Sequence, residues 1–207
     1  MQVKITIFIF AKNIFMSIFK LYFNLGFEHI SDFAGYDHIL FLLALCAVYD
    51  FRQWKNVLVL VTAFTIGHSV TLVLATFNII KISNSMVEFL IPITILITAL
   101  GNIFQKKEKF SKSLHSFKYF VAMIFGLIHG LGFSNYLREL ISSENGIFRP
   151  LLGFNLGLEF GQIVIIIGIL FVGFIFANFL KVKKREWNLV ISGAALGISI
   201  VLMVERF

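Results

Sequence analysis

Long apolar runs alternate with short polar segments along most of the chain, and no run shows the two-residue alternation of a half-buried strand. A helix that crosses a bilayer needs about 20 apolar residues, because each residue advances it by about 1.5 Å. Six runs approach this length: Gly35–Tyr49, Trp54–Ile80, Ser85–Phe104, Phe117–Leu140, Pro150–Leu180 and Trp187–Val204. The pattern predicts an all-α membrane bundle with six transmembrane helices.

The first 28 residues are also apolar, but Lys12 and Lys20 interrupt them and no small-residue cleavage site follows. This pattern favours an N-terminal amphipathic helix, either interfacial or tilted through the membrane, over a secretory signal. We therefore expect a single integral membrane domain over residues 1–207. Within it, residues 1–28 form the N-terminal segment and residues 35–204 form the helical bundle.

Composition agrees with a membrane protein. Of the 207 residues 58% are hydrophobic and only 14% are charged, whereas soluble domains are nearer half apolar and a quarter charged. The net charge of +7 does not indicate nucleic acid, because the basic residues lie in short segments between the apolar runs. The expected partner is the lipid bilayer, with no nucleic acid.

Positive charge falls in alternate segments between the predicted spans. Arg52 and Lys55 form one group, and lysine-rich stretches at 106–118 and 181–185 form two others, while the remaining connections are poor in cations. The positive-inside rule places these three groups in the cytoplasm. The beginning of the span at Gly35 and the C-terminus would then face outward, in a multi-pass protein of a bacterial-type inner membrane.

Several polar side chains would lie in the outer half of the membrane or near its midplane. They are Asp37, His38, His68, Ser69, Glu88, His129, Asn155, Glu159 and Gln162. Ionisable groups are costly in hydrocarbon and tend to mark functional sites. At 100° per residue, Asn155, Glu159 and Gln162 share one stripe of their helix. We therefore expect polar faces from separate helices to converge inside the bundle.

The residue types at this depth suit a transition metal. His38, His68 and His129, together with Asp37 and Glu159, offer imidazole and carboxylate ligands for zinc, nickel or cobalt. Hydrogen bonding between helices is the alternative explanation for the same residues.

Glycines near these groups predict close helix packing. Gly126 and Gly130, like Gly153 and Gly157, are four residues apart. This small-xxx-small spacing allows two helix backbones to approach each other. Such packing would bring His129 nearer to its neighbours.

Five segments resemble the HupE/UreJ membrane protein family in order and spacing, over residues 25–162. They read "GFEHISDFAGYDHILFLLAL", "VTAFTIGHSVTL", "VEFLIPITILITALGNIF", "FGLIHGLGF" and "LLGFNLGLEFGQ". Members are associated with hydrogenase and urease accessory systems and are regarded as nickel or cobalt permeases. The resemblance implies a transported metal ion and metalloenzyme-maturation proteins as partners.

The family motif for handling the metal is a histidine followed by an Asp-His pair, which falls here on His29, Asp37 and His38. The family usually has five residues between the two parts, and this chain has seven. The resemblance therefore supports Asp37 and His38 as ligands and assigns His29 to a supporting or entry role. The other supporting or entry residues are Glu88, Ser69, Asn155 and Gln162.

Three functions remain open at this point. One is a permease that captures nickel or cobalt at an outward-facing site. A second is an intramembrane zinc hydrolase for a lipid or lipid-linked substrate, with His38, His68 and His129 as ligands and Asp37 or Glu159 activating water. The third is an accessory subunit whose polar residues only hold helices together.

Overall fold

Seven α-helices lie in the part of the chain that the computed structural model describes. It describes the backbone of residues 2–80, 82–105, 112–141 and 146–207, and the side chains of 16–80, 82–105, 116–141 and 146–207. The helices are α1 (Gln2–Ser31), α2 (Asp37–Cys46), α3 (Trp54–Thr76), α4 (Asn84–Phe104), α5 (Lys112–Ile141), α6 (Phe148–Asn178) and α7 (Lys184–Glu205). A short 3₁₀ turn, Phe51–Gln53, precedes α3. Every regular element in these ranges is helical, so the all-α prediction is confirmed.

Among the described residues, five helices are long and apolar enough to cross a bilayer, namely α3 to α7. The segment predicted as the first span, Gly35–Tyr49, contains only the ten residues of α2. Ten residues advance about 15 Å, half of the hydrocarbon thickness of about 30 Å. The predicted count of six spans is therefore corrected to five in this part of the chain, and α2 is a half-helix.

Asp50 caps the 3₁₀ turn that follows α2, and this explains why α2 does not continue as one long helix. The Asp50 side chain accepts a hydrogen bond from the backbone N–H of Arg52 at 3.0 Å. The Gln53 side chain accepts one from the backbone N–H of Asp50 at 3.2 Å. This reciprocal pair is a capping box, which starts a new helix and turns the chain into α3.

Helix α1 is part of the bundle and packs lengthwise against α6. A Cβ atom at Gly157 would overlap the carbonyl oxygen of Phe23, and one at Gly26 would overlap the carbonyl oxygen of Phe154. Phe23 lies against Gly157, and Ile30 lies against Gly161 farther along both helices. The two helices therefore run in the same direction with their backbones in direct contact.

Helices α3 and α5 form a second close pair with the same construction. A Cβ at Gly67 would overlap the carbonyl oxygen of Met123, and a Cβ at Gly126 would overlap that of Phe64. Gly130 lies against the backbone of His68. The close packing predicted for Gly126 and Gly130 is confirmed, and it sets His68 beside the turn of α5 that carries His129.

The bundle has two distinct polar ends. At one end Lys184 Nζ lies 3.2 Å from Asp50 Oδ2, and Arg185 donates to the carbonyl oxygen of Gln105 at 3.2 Å. The segments next to the three basic groups of the sequence thus meet at this end. Arg206, which follows α7, lies at the opposite end.

Asn102 of α4 holds the end of the half-helix α2. Its side-chain Nδ2 donates to the carbonyl oxygen of Ala44 at 2.7 Å. Asn188 of α7 donates in turn to the carbonyl oxygen of Asn102 at 3.0 Å. These bonds fix α2 between α4 and α7, so that its first turn, with Asp37 and His38, stays inside the bundle.

Candidate metal centre

Three histidines from three helices come together in the bundle, and we call them the histidine cluster. His29 lies in the last turn of α1, His38 in the first turn of α2, and His68 on α3. One ring nitrogen from each lies within 4.8 Å of the other two. Nitrogens bound to a common ion at about 2.1 Å would lie roughly 3–3.5 Å apart. Small side-chain rotations would therefore bring all three nitrogens onto one ion.

Two rings of the cluster are buried and that of His29 is half-buried, and all three carry unpartnered nitrogens. His68 is 0% exposed and His38 is 6% exposed. Nε2 of His29, Nε2 of His38 and both ring nitrogens of His68 have no hydrogen-bond partner. An unsatisfied buried polar atom costs about 1–3 kcal/mol. Such an arrangement fits ligands of an ion better than hydrogen bonding between helices.

Asp37 orients the ring of His38. Its Oδ1 lies 3.2 Å from His38 Nδ1 and accepts a hydrogen bond from the His38 backbone N–H at 3.0 Å. Its Oδ2 accepts a hydrogen bond from Arg206 Nη1 at 3.0 Å. A carboxylate on Nδ1 keeps the hydrogen there and leaves the lone pair on Nε2, as in many carboxylate–histidine–metal arrangements.

His129 of α5 adds a fourth imidazole beside the cluster, with its ring centroid 5.0 Å from that of His38. Its Nε2 lies 2.9 Å from Thr94 Oγ1, and the Thr94 hydroxyl donates to the carbonyl oxygen of Ile91 at 2.7 Å. A hydroxyl has one hydrogen, and the carbonyl can only accept it. His129 Nε2–H must therefore donate to Thr94. Its buried Nδ1, which has no partner, is left with the lone pair.

A cavity of about 370 Å³ leads to these residues from the bundle end where α4 begins. Its lining includes His29, Asp37, His38, Glu88, His129 and Arg206. Glu88 is exposed at the surface, so it marks the cavity entrance. The cavity thus joins a carboxylate at the mouth to the histidine cluster inside.

Phenylalanine rings form the wall behind the histidines. The Phe133 ring lies 4.1 Å from that of His29 between centroids, and the Phe64 ring lies 5.1 Å from that of His129. These contacts exclude water and lower the local dielectric constant. Interactions between an ion and its ligands are stronger in such surroundings than in water.

The family model described as HupE / UreJ protein matches residues 7–206. The chain belongs to the HupE/UreJ family. Neither the curated proteins nor the solved structures include a match to it. The family match takes in every residue of the cluster, and the HupE/UreJ family is linked to metal handling.

Two of the predicted polar residues on α6 lie in its contact with α3. Glu159 Oε1 accepts a hydrogen bond from Thr62 Oγ1 at 2.8 Å, and Gln162 Oε1 accepts one from Thr65 Oγ1 at 2.8 Å. Glu159 is not in the group of ligand atoms that the histidines form. Of the predicted ligands, His38 and His68 are in this group, and Asp37 and His129 lie beside His38. The metal role of Glu159 stays a prediction.

Two other residues predicted to support the metal site donate hydrogen bonds to the backbone of their own helices. Asn155 Nδ2 donates to the carbonyl oxygen of Leu151 at 2.9 Å, and Ser69 Oγ donates to that of Thr65 at 2.7 Å. A polar stripe on one helix is therefore not evidence of a ligand face, because helix backbone and adjacent helices satisfy it locally.

Thr94 and Arg206 reach the site although sequence reasoning did not assign them to it. Thr94 lies in an apolar run, where a hydroxyl is commonly satisfied by its own helix and so gives no distinct signal. Arg206 follows the last predicted span, Trp187–Val204. Pro92 was the available sign that a polar group would reach this part of α4. A proline inside a helix leaves the carbonyl four residues earlier without its N–H donor. That carbonyl belongs to Glu88.

Proposed function

We propose that this protein is a permease for a divalent transition metal ion, nickel or cobalt, which passes through the histidine cluster. The observation that carries the proposal is the set of three imidazoles with ligand atoms within 4.8 Å of one another and with unpartnered nitrogens. Imidazole nitrogen suits nickel and cobalt. The HupE/UreJ family is associated with transport of these two metals.

Entry would begin at Glu88 and continue along the cavity to His29 and His38. With the basic segments in the cytoplasm, this end of the bundle faces outward from a bacterial-type inner membrane. The carboxylates of Glu88 and Asp37 would attract the hydrated cation. The histidines would then replace part of its water shell, and metalloenzyme-maturation proteins would receive the ion inside.

The half-helix α2 suits a transport site. Transporters commonly place substrate sites where a helix is interrupted near the bilayer midplane. Here α2 begins at Asp37 inside the bundle, and Asn102 holds its far end. Uncharged imidazoles hold an ion less tightly than thiolates do. This suits a permease, which needs a site that also releases its ion.

Nickel accumulation in cells tests this function. Cells that express His38→Ala or His68→Ala should accumulate less nickel than cells with equal amounts of the wild-type protein. Arg52→Gln is the matched control, because Arg52 is exposed on the 3₁₀ turn away from the cavity. Accumulation equal to wild type in both histidine variants would overturn the proposal.

An intramembrane zinc hydrolase is the second candidate. Three histidines are a common ligand set for catalytic zinc, with water in the fourth position. The Glu88 carboxylate lines the same cavity and would serve as a base, whereas Asp37 is already engaged by Arg206.

Elemental analysis of the purified protein separates the two functions. Zinc that stays at about one ion per chain through dialysis would support the hydrolase, as would lipid cleavage lost in Glu88→Gln. An ion that exchanges freely with nickel in the buffer would support the permease.

A further inference from the structure

Arg206 brings a fixed positive charge into the cavity that leads to the histidine cluster. It follows α7, and its Nη1 donates to Asp37 Oδ2 at 3.0 Å. The side chain is 25% exposed and that of Asp37 is 10% exposed. Both partners are therefore mostly removed from water, where charge interactions are weakened less by solvent and salt.

A second contact holds the same guanidinium in place. Nη1 of Arg206 also donates to the carbonyl oxygen of Glu88 at 3.3 Å. That oxygen lacks its usual helical donor, the N–H four positions later in α4, because residue 92 is a proline. Pro92 thus creates an acceptor for Arg206 at the cavity entrance.

The position of Arg206 opposes a bound cation in two ways. An ion on His38 Nε2 would be separated from the guanidinium only by the His38 ring and the Asp37 carboxylate, so the two like charges would repel. Asp37 also strengthens His38 as a ligand by accepting from Nδ1. Arg206 shares that carboxylate and weakens the effect.

We propose that Arg206 sets the affinity of the histidine cluster for a divalent cation by repelling the bound ion and by sharing the Asp37 carboxylate that supports His38. The arginine lowers the affinity and keeps the bound ion releasable. This inference rests on the proposed metal permease function, for which weak enough binding is a requirement.

Isothermal titration of the full-length protein with nickel chloride tests the inference. Arg206→Gln removes the charge but keeps an amide donor for Asp37, and we expect it to bind nickel roughly tenfold more tightly than wild type. Arg206→Lys keeps the charge and should stay within about threefold of wild type. Arg52→Gln changes the net charge equally at an exposed site and should leave the affinity unchanged.

A second variant leaves the arginine in place, should Arg206→Gln fail to fold. Pro92→Ala supplies the missing N–H to the Glu88 carbonyl and removes one of the two anchors of Arg206. Pro92→Ala should also bind nickel more tightly than wild type, but by a smaller factor than Arg206→Gln.

The possible outcomes are distinct. Equal or weaker binding by Arg206→Gln overturns the inference, since a merely structural arginine would give weaker binding when lost. If that variant does not fold, equal or weaker binding by Pro92→Ala overturns it. Absence of nickel binding by the wild-type protein would instead refute the proposed function itself.

Discussion

Oδ1 of Asp37 lies 3.2 Å from Nδ1 of His38, so the residue that precedes the histidine in the chain also orients its ring. Asp37→Asn keeps the shape but loses the negative charge, and it leaves Arg206 without its ionic partner. We expect the nickel affinity to fall roughly 10- to 100-fold, as for other outer-shell partners of metal-binding histidines. Isothermal titration with nickel chloride measures this affinity.

Asp50→Asn is the control for that variant. Asp50 also pairs with a cation, Lys184 at 3.2 Å, but at the opposite end of the bundle. Its replacement should leave nickel affinity unchanged. If both variants bind like wild type, the carboxylate has no role in orienting the ligand.

Thr94 should fix the tautomer of His129. In Thr94→Val the buried Nε2–H of His129 loses its acceptor, at a cost of about 1–3 kcal/mol in the free energy of unfolding. Nitrogen NMR of the labelled histidine ring should show protonation at Nε2 in the wild type and a mixture of tautomers in the variant.

Thr98→Val tests whether this effect is specific to Thr94. Thr98 lies one turn later on α4 and donates to the carbonyl oxygen of Thr94 at 2.8 Å. Its loss should leave the His129 tautomer intact. An Nδ1-protonated His129 in the wild type would contradict the assignment.

His29 should matter to metal binding more than Glu159 does. His29 contributes a ligand atom to the cluster, whereas Glu159 bonds to Thr62. We expect His29→Ala to lower the nickel affinity at least about tenfold. Removing a ligand should lower the affinity no less than removing a residue that hydrogen-bonds to a ligand. Glu159→Gln should stay within about twofold. The reverse order of the two affinities would argue for a site built around α6.

The contact between α3 and α5 should be sensitive to a single methyl group. Gly126→Ala would place a Cβ against the Phe64 carbonyl and force the two helices apart, which costs about 1–3 kcal/mol or more. His68 and His129 would separate, so both thermal stability and nickel affinity should fall.

Gly168→Ala on α6 is the matched control for this change. A Cβ at Gly168 has no heavy atom within 4 Å, so stability should stay within about 0.5 kcal/mol of wild type. Equal melting temperatures for the two alanine variants would show that the helices separate without penalty.

The glycines illustrate what local spacing predicts well. Gly126 and Gly130 are four residues apart, which puts them on one helix face whatever the rest of the chain does. A partner helix was therefore predictable, and α3 occupies that face. The length of α2 was less predictable, because the apolar run from Gly35 to Tyr49 continues through a turn that only the capping of Asp50 reveals.

The position of His29 shows the limit of motif spacing. Seven residues separate it from Asp37, and in a straight helix this distance would carry the two far apart. The chain instead leaves α1 at Ser31 and re-enters as α2 at Asp37, which brings the His29 and His38 rings to 4.7 Å. Spacing along a chain does not fix distance across a turn.

The sequence by itself determined the membrane class, the helical fold and the glycine faces that pack closely, because hydropathy, helix length and glycine spacing act over one or two turns. Only the tertiary structure decided that His29 joins the cluster, that Glu159 lies with α3, and that Arg206 reaches Asp37. These contacts join residues up to 169 positions apart. They depend on the angles and depths at which whole helices pack, which no local pattern encodes.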